Sequence, residues 1–101
     1  GGGTVIIADN SEVLLDSLIF YNNTALTAGC LLSTSNGNST IRNSMFTNCN
    51  ADTSGGAVVV ASRSHATFIN CTFRNNHAES IGSSILASDF ANVTIDKTLF
   101  L

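Results

Sequence analysis

A chain of 101 residues suffices for one domain. Only 11% of it is charged and the net charge is −3 with four basic residues, which excludes an electrostatic footprint for DNA or RNA. No apolar run approaches the ~20 residues of a membrane-spanning helix, and aliphatic and β-branched residues are too plentiful for intrinsic disorder.

The opening Gly1-Gly2-Gly3 lacks the charged-then-apolar pattern of a leader peptide. Val5-Ile6-Ile7 is the first strand signal, and Ser33 to Thr40 reads as a loop. Further strand signals follow at Val58-Val59-Val60 and Thr67-Phe68-Ile69. Asn75 to Ser80 is a turn cluster, and Val93-Thr94-Ile95 is the last strand signal. These stretches are short and rich in Val, Ile, Thr and Phe, whereas a helical repeat needs apolar residues at i, i+3, i+4 and i+7 over ten or more positions. The LxxLxL pattern of leucine-rich repeats is missing.

The same features recur. Phenylalanine stands at Phe20, Phe46, Phe73 and Phe100, spaced by 26, 27 and 27 residues. Nine residues after the first three come Gly29, Gly55 and Gly82, and Gly2 extends that series backwards. Two residues after each Phe lies Asn22, Asn48 or Asn75, and five after it Ala25, Ala51 or Ala78. Five before it stand Leu15, Ile41, Phe68 and Ile95; three after each Gly come Val5, Leu32, Val58 and Ile85.

A period of about 27 residues built from short strands predicts an all-β, right-handed parallel β-helix of about four coils. Their bounds are roughly 2–28, 29–54, 55–81 and 82–101, and the open ends suggest a slice of a longer solenoid. Stacked coils would place the four Phe in an internal aromatic column, spaced by one strand separation of roughly 4.8 Å. Asn22, Asn48 and Asn75 would form an amide ladder at a bend, where Asn tolerates left-handed backbone angles. Gly2, Gly29, Gly55 and Gly82 would supply turns needing positive φ. Low charge fits too, since stacking sets like charges over one another.

Phe20-Asn23 and Phe73-Asn76, each a Phe with Asn three residues on, together with Gly55-Gly56-Ala57-Val58, resemble the repeats of chlamydial polymorphic outer membrane proteins. Similar repeats occur in large secreted β-helices of the pectin-lyase-like superfold. The second copy departs from the motif with Cys49 in place of Asn, and the other glycine positions lack Gly-Gly-Ala. The resemblance implies a right-handed β-helix displayed outside the cell or on its surface, bacterial outer membrane included.

Candidate chemistry is sparse. Asp52 and Glu79 share a register that would bring two carboxylates within about 5 Å, near His77, but two ligands are too few for calcium and Leu26 stands in the same register. Asp16 and Asp96, and likewise Asp9 and Asp89, lie three coils apart, too far for acid–base partnership; Arg42 is set to pair with Asp16 on the surface. The Asn-Thr-Asp, Asp-Asp, Gly-His-Gly and Arg-Ile-Lys segments in which polygalacturonases resemble one another are missing, Arg63 and Arg74 lack the acidic cluster of a pectate lyase, and His65 and His77 have no nucleophile with a supporting acid. Cys30, Cys49 and Cys71 show no CxxC spacing and read as three small buried thiols. Of four N-x-Ser/Thr sequons, Asn22, Asn38, Asn70 and Asn92, Asn38 and Asn92 are the better glycosylation acceptors and Asn22 is expected to be inaccessible within its ladder.

The expectation is a structural or adhesive segment with no catalytic, metal or cofactor residues. It would meet a host or neighbouring cell-surface protein or glycan, without nucleic acid or membrane insertion. The alternative is part of a carbohydrate-active β-helix whose active site lies outside this segment. That reading needs an outward aromatic or acidic row, yet Tyr21 is the sole tyrosine, followed in register by Thr47 and Arg74.

Overall fold

Short runs of β-branched and aromatic residues, cut off by polar residues that accept left-handed angles, allow only brief strands, and the chain turns a corner after each. The structure, a computed structural model, describes residues 5–25, 28–53, 55–79 and 84–101. Its first turn comprises β1 (Val5–Ile7), β2 (Glu12–Asp16), β3 (Ile19–Tyr21) and β4 (Thr24–Ala25). The second comprises β5 (Leu31–Ser33), β6 (Asn38–Arg42), β7 (Met45–Thr47) and β8 (Asn50–Ala51). The third holds β9 (Val58–Val60), β10 (His65–Ile69), β11 (Thr72–Arg74) and β12 (His77–Ala78). A partial turn of β13 (Ile85–Ala87), β14 (Asn92–Asp96) and β15 (Leu99–Phe100) follows.

Every pairing is parallel and joins equivalent strands of successive turns, in sheets ordered β1-β5-β9-β13, β2-β6-β10-β14, β3-β7-β11-β15 and β4-β8-β12. The molecule is therefore a right-handed parallel β-helix of about three turns. Strand alternation sends one set of columns inward. Leu15, Ile41, Phe68 and Ile95 form one such column, and Phe20, Phe46, Phe73 and Phe100 another. Successive rings of the Phe column lie parallel with centroids 4.5, 4.6 and 4.9 Å apart, which is the spacing of the strands that carry them. Phe68 meets both Phe46 and Phe73 edge-on, closing the core between the two sheets.

Corners repeat as faithfully as strands. Between the first and second sheets each turn carries two consecutive positive-φ residues: Asp9-Asn10, Ser35-Asn36, Ser62-Arg63 and Asp89-Phe90. Each pair is closed by an i to i+3 backbone hydrogen bond, as in Gly37 N–H to Thr34 O at 3.0 Å, the pattern of a type I′ turn. Arg63 and Phe90 hold φ of 63° and 64°, where larger residues are strained and the first two turns use Asn. The next corner has one left-handed residue per turn, Ser17, Asn43, Asn70 and Lys97. The third has Asn22, Asn48 and Asn75, each at φ 53°.

The glycine column differs from expectation. Leu31, not Leu32, pairs with Val5 and Val58, while Leu32 pairs with Ile6 and Val59. Six residues separate Ala25 from Leu31, but seven separate Ala51 from Val58 and Ala78 from Ile85. The 26-residue Phe interval thus arises from one residue fewer in the connection before β5. Gly29 consequently aligns with Gly56, whose carbonyl takes its N–H at 3.1 Å, and the positive-φ position belongs to Ala28 and Gly55. Gly29 is needed for close approach instead: a Cβ there would lie 2.5 Å from Gly56 O and 2.7 Å from Asn50 N. Gly2, Gly82 and Leu26 lie outside the described residues.

Candidate functional site

The inward corner columns hold the polar groups the core admits. Ser44, Cys71 and Thr98 occupy one register, and each donates to the carbonyl two residues before it, Arg42 O at 2.9 Å, Ile69 O at 3.4 Å and Asp96 O at 2.9 Å. Ser44 Oγ also takes the Leu18 N–H, and Thr98 Oγ1 takes the Cys71 N–H. Cys71 is thus a buried free thiol standing where its neighbours carry hydroxyls, and burial pushes its pKa up.

One corner further on, the register reads Asn23, Cys49, Asn76. Asn76 Oδ1 accepts the Cys49 N–H at 2.9 Å and its Nδ2 donates to Phe46 O at 3.2 Å, so one amide ties two turns together at the bend. Asn three residues after Phe is therefore the inward seal of that corner. Cys49 gives up this part and forms a disulfide with Cys30. The expectation of three thiols is corrected: two are joined and only Cys71 is free. Cys30 and Cys49 lie on facing corners of one turn, a proximity that a 19-residue separation does not disclose.

Asn22, Asn48 and Asn75 sit one position earlier, where their N–H groups donate to Thr47 O, Arg74 O and Leu101 O. The side-chain rungs the structure displays run along the neighbouring corner: Asn70 Nδ2 donates to Asn43 Oδ1 at 2.8 Å, and Asn43 Nδ2 to Asp16 Oδ1 at 3.1 Å. This ladder was missed in the sequence, although Asn43 and Asn70 stand three residues before Phe46 and Phe73. Asp16 also takes Ser17 Oγ–H and pairs with Arg42 Nε at 3.1 Å. The Asn43 amide first, then Ser17 and Arg42, hold its carboxyl below the usual range.

Asp52 and Glu79 both lie exposed on the turn after the fourth sheet, and Glu79 Oε1 meets His77 Nε2 at 3.3 Å in the open. Among the described residues no three His, Cys, Asp or Glu are grouped as metal ligands. Tyr21, Thr47 and Arg74 form an outward column beside Ile19, Met45 and Thr72. Asn38 and Asn92 are exposed in the column Glu12, Asn38, His65, Asn92. Asn22 is exposed rather than inaccessible, because its side chain leaves the bend outward while Asn23 turns in.

Two shallow surface grooves run beside these columns. One is lined by Ser17, Leu18, Ile19, Met45, Asn70 and Thr72 among others, with no titratable group; the other has Glu12 beside Val13, Leu14, Asn38 and Thr40. No protein-family model, curated protein or solved structure matches the chain. Among the described residues no helix is long and apolar enough to cross a membrane.

Proposed function

We propose that this chain is a non-catalytic structural and adhesive segment of a secreted or cell-surface protein. The observation that carries the reading is the division of labour between columns. Inward columns are filled with close-packed apolar side chains and a few small hydroxyls, most of them tied to backbone, while among the described residues the outward titratable groups stand singly or in the exposed contacts Asp16–Arg42 and His77–Glu79, and of the two grooves described above one has Glu12 and the other no titratable group. General acid–base chemistry needs two such groups converging on one substrate atom. A stack held by ring spacing and backbone ladders supplies length and stiffness, and its faces present Asn, Ser and Thr to a neighbouring surface protein or glycan.

The Cys30–Cys49 disulfide supports an extracellular or cell-surface setting, since such bonds persist in oxidising compartments. The likeness of Phe20-Asn23, Phe73-Asn76 and Gly55-Gly56-Ala57-Val58 to chlamydial outer-membrane repeats supports the same setting. The test couples the folded chain to beads and offers them to cell monolayers and a glycan array, while the soluble chain is incubated with polygalacturonate, alginate and chondroitin. Bead retention without new reducing ends or unsaturated uronates is expected. Depolymerisation of any of the three would overturn the reading in favour of a carbohydrate-active β-helix.

A further inference from the structure

The corner between β5 and β6 makes two demands on neighbouring residues. Asn36 holds φ of 63°, a backbone angle that Asn accepts and most side chains resist. Gly37 follows it and has no room for a side chain. A Cβ there would lie 2.7 Å from Ile7 O and 3.0 Å from the buried Ser33 Oγ. The equivalent positions of the other turns, Ser11, Ser64 and Ala91, all carry a Cβ, so the demand is particular to this turn. Backbone angle and packing together thus set Asn directly before Gly, the pairing in which an asparagine amide is chemically least durable.

The chemistry needs only water. In an open chain the Gly37 nitrogen, on losing its proton, attacks Asn36 Cγ. The new N–Cγ bond forms, the Cγ–Nδ2 bond breaks, and the amide leaves as ammonia, taking up a proton. Water then opens the resulting succinimide at either carbonyl, leaving aspartate or isoaspartate at position 36, with no change of oxidation state.

In the folded chain the attacking nitrogen is engaged. Gly37 N–H donates to Thr34 O at 3.0 Å and to Ser64 Oγ at 3.2 Å. Ser64 is fully buried one turn on, where its own N–H closes the next corner on Ala61 O. The Asn36 N–H reaches Ser62 O at 3.0 Å, and the Gly37 carbonyl takes the His65 N–H at 2.9 Å. Both residues are therefore pinned to the third turn, while the Asn36 side chain stays exposed to water. The second and third turns each have a neighbour on both sides, so this clamp belongs to the interior of the solenoid.

We propose that Asn36 is a conditional modification site, converted to aspartate or isoaspartate when this corner opens, with Ser64 as the latch that keeps it unreacted. Isoaspartate adds a carbon to the main chain, so the Thr34–Gly37 turn could not close as before. One opening would leave a lasting mark.

Ageing the whole chain at mildly alkaline pH tests this, with peptide mapping by mass spectrometry and hydrogen exchange read at Gly37. Loss of the Asn36 amide is expected to be at least about tenfold slower in the folded chain than in the same chain unfolded by urea. Ser64→Ala should speed it about fivefold and raise Gly37 exchange by the same factor, as loss of one hydrogen bond predicts. Ser39→Ala removes a buried hydroxyl that has no partner among the described residues and should change neither rate. Circular dichroism checks that both variants fold. Urea below the unfolding transition gives the same test without a substitution: in the natural sequence amide loss and Gly37 exchange should rise in step. Equal rates in the folded and unfolded chain would overturn the proposal, as would amide loss that does not follow Gly37 exchange. An unchanged rate in a folded Ser64→Ala, or an equal rise in Ser39→Ala, would remove Ser64 as the latch.

Discussion

Phe73 and Phe100 occupy the same column, the same strand position and nearly the same ring spacing, yet Phe73 is fully buried and Phe100 is 45% exposed. The central turns are sandwiched by turns on both sides, whereas the last turn is covered on one. A residue's worth in a solenoid thus depends on its turn as much as on its type, because each turn contacts only its neighbours. The ends differ in chemistry as well: the centre contains the disulfide and the aromatic cross, and the ends carry the exposed aliphatics.

The contrast is sharpest for ring removal. Phe73→Ala or Phe46→Ala should cost about 3–5 kcal/mol, and Phe100→Ala less than half of that, read from denaturant midpoints at constant slope. Equal costs would break the comparison. Reducing Cys30–Cys49, or replacing both by Ser, should cost about 3 kcal/mol for a loop of this length, read from the same denaturant midpoints. Gly29→Ala should cost about 1–3 kcal/mol by forcing backbone apart at Gly56 and Asn50. The smallest effect belongs to an end: Asp16, its pKa lowered, stabilises the fold above the ordinary carboxyl pKa and loses this as pH falls below about 4. Asp16→Asn should flatten that part of the stability profile in acid titrations.

Architecture was legible because inward columns demand like residues at like positions. The Phe spacing and the Asn bends follow from packing and from backbone angles that few residues adopt, so both leave marks in one chain. Beside the Asn43–Asn70 ladder and the exposure of Asn22, two features escaped for physical reasons. The glycine alignment slipped by one residue at the connection before β5, since Gly55 and Gly56 offer two partners for Gly29 and only strand pairing selects Gly56. The disulfide escaped because Cys49 takes an Asn place and Cys30 a corner place, and nothing in either register marks them as facing. Function was less legible still. Outward columns need only remain soluble, so Tyr21, Arg74, His65 and Asn92 carry no pattern comparable with the Phe column.

The central claim is that residues about 27 apart lie side by side in parallel strands. Nuclear Overhauser contacts on the labelled chain test it directly. Contacts linking Thr40 with Thr67 and Thr94, and Ala25 with Ala51 and Ala78, together with ring contacts from Phe20 through Phe100, are the predicted result. Cross-strand contacts between sequence neighbours, such as Glu12–Asp16 against Ile19–Tyr21 in hairpin register, would contradict the solenoid and everything built on it.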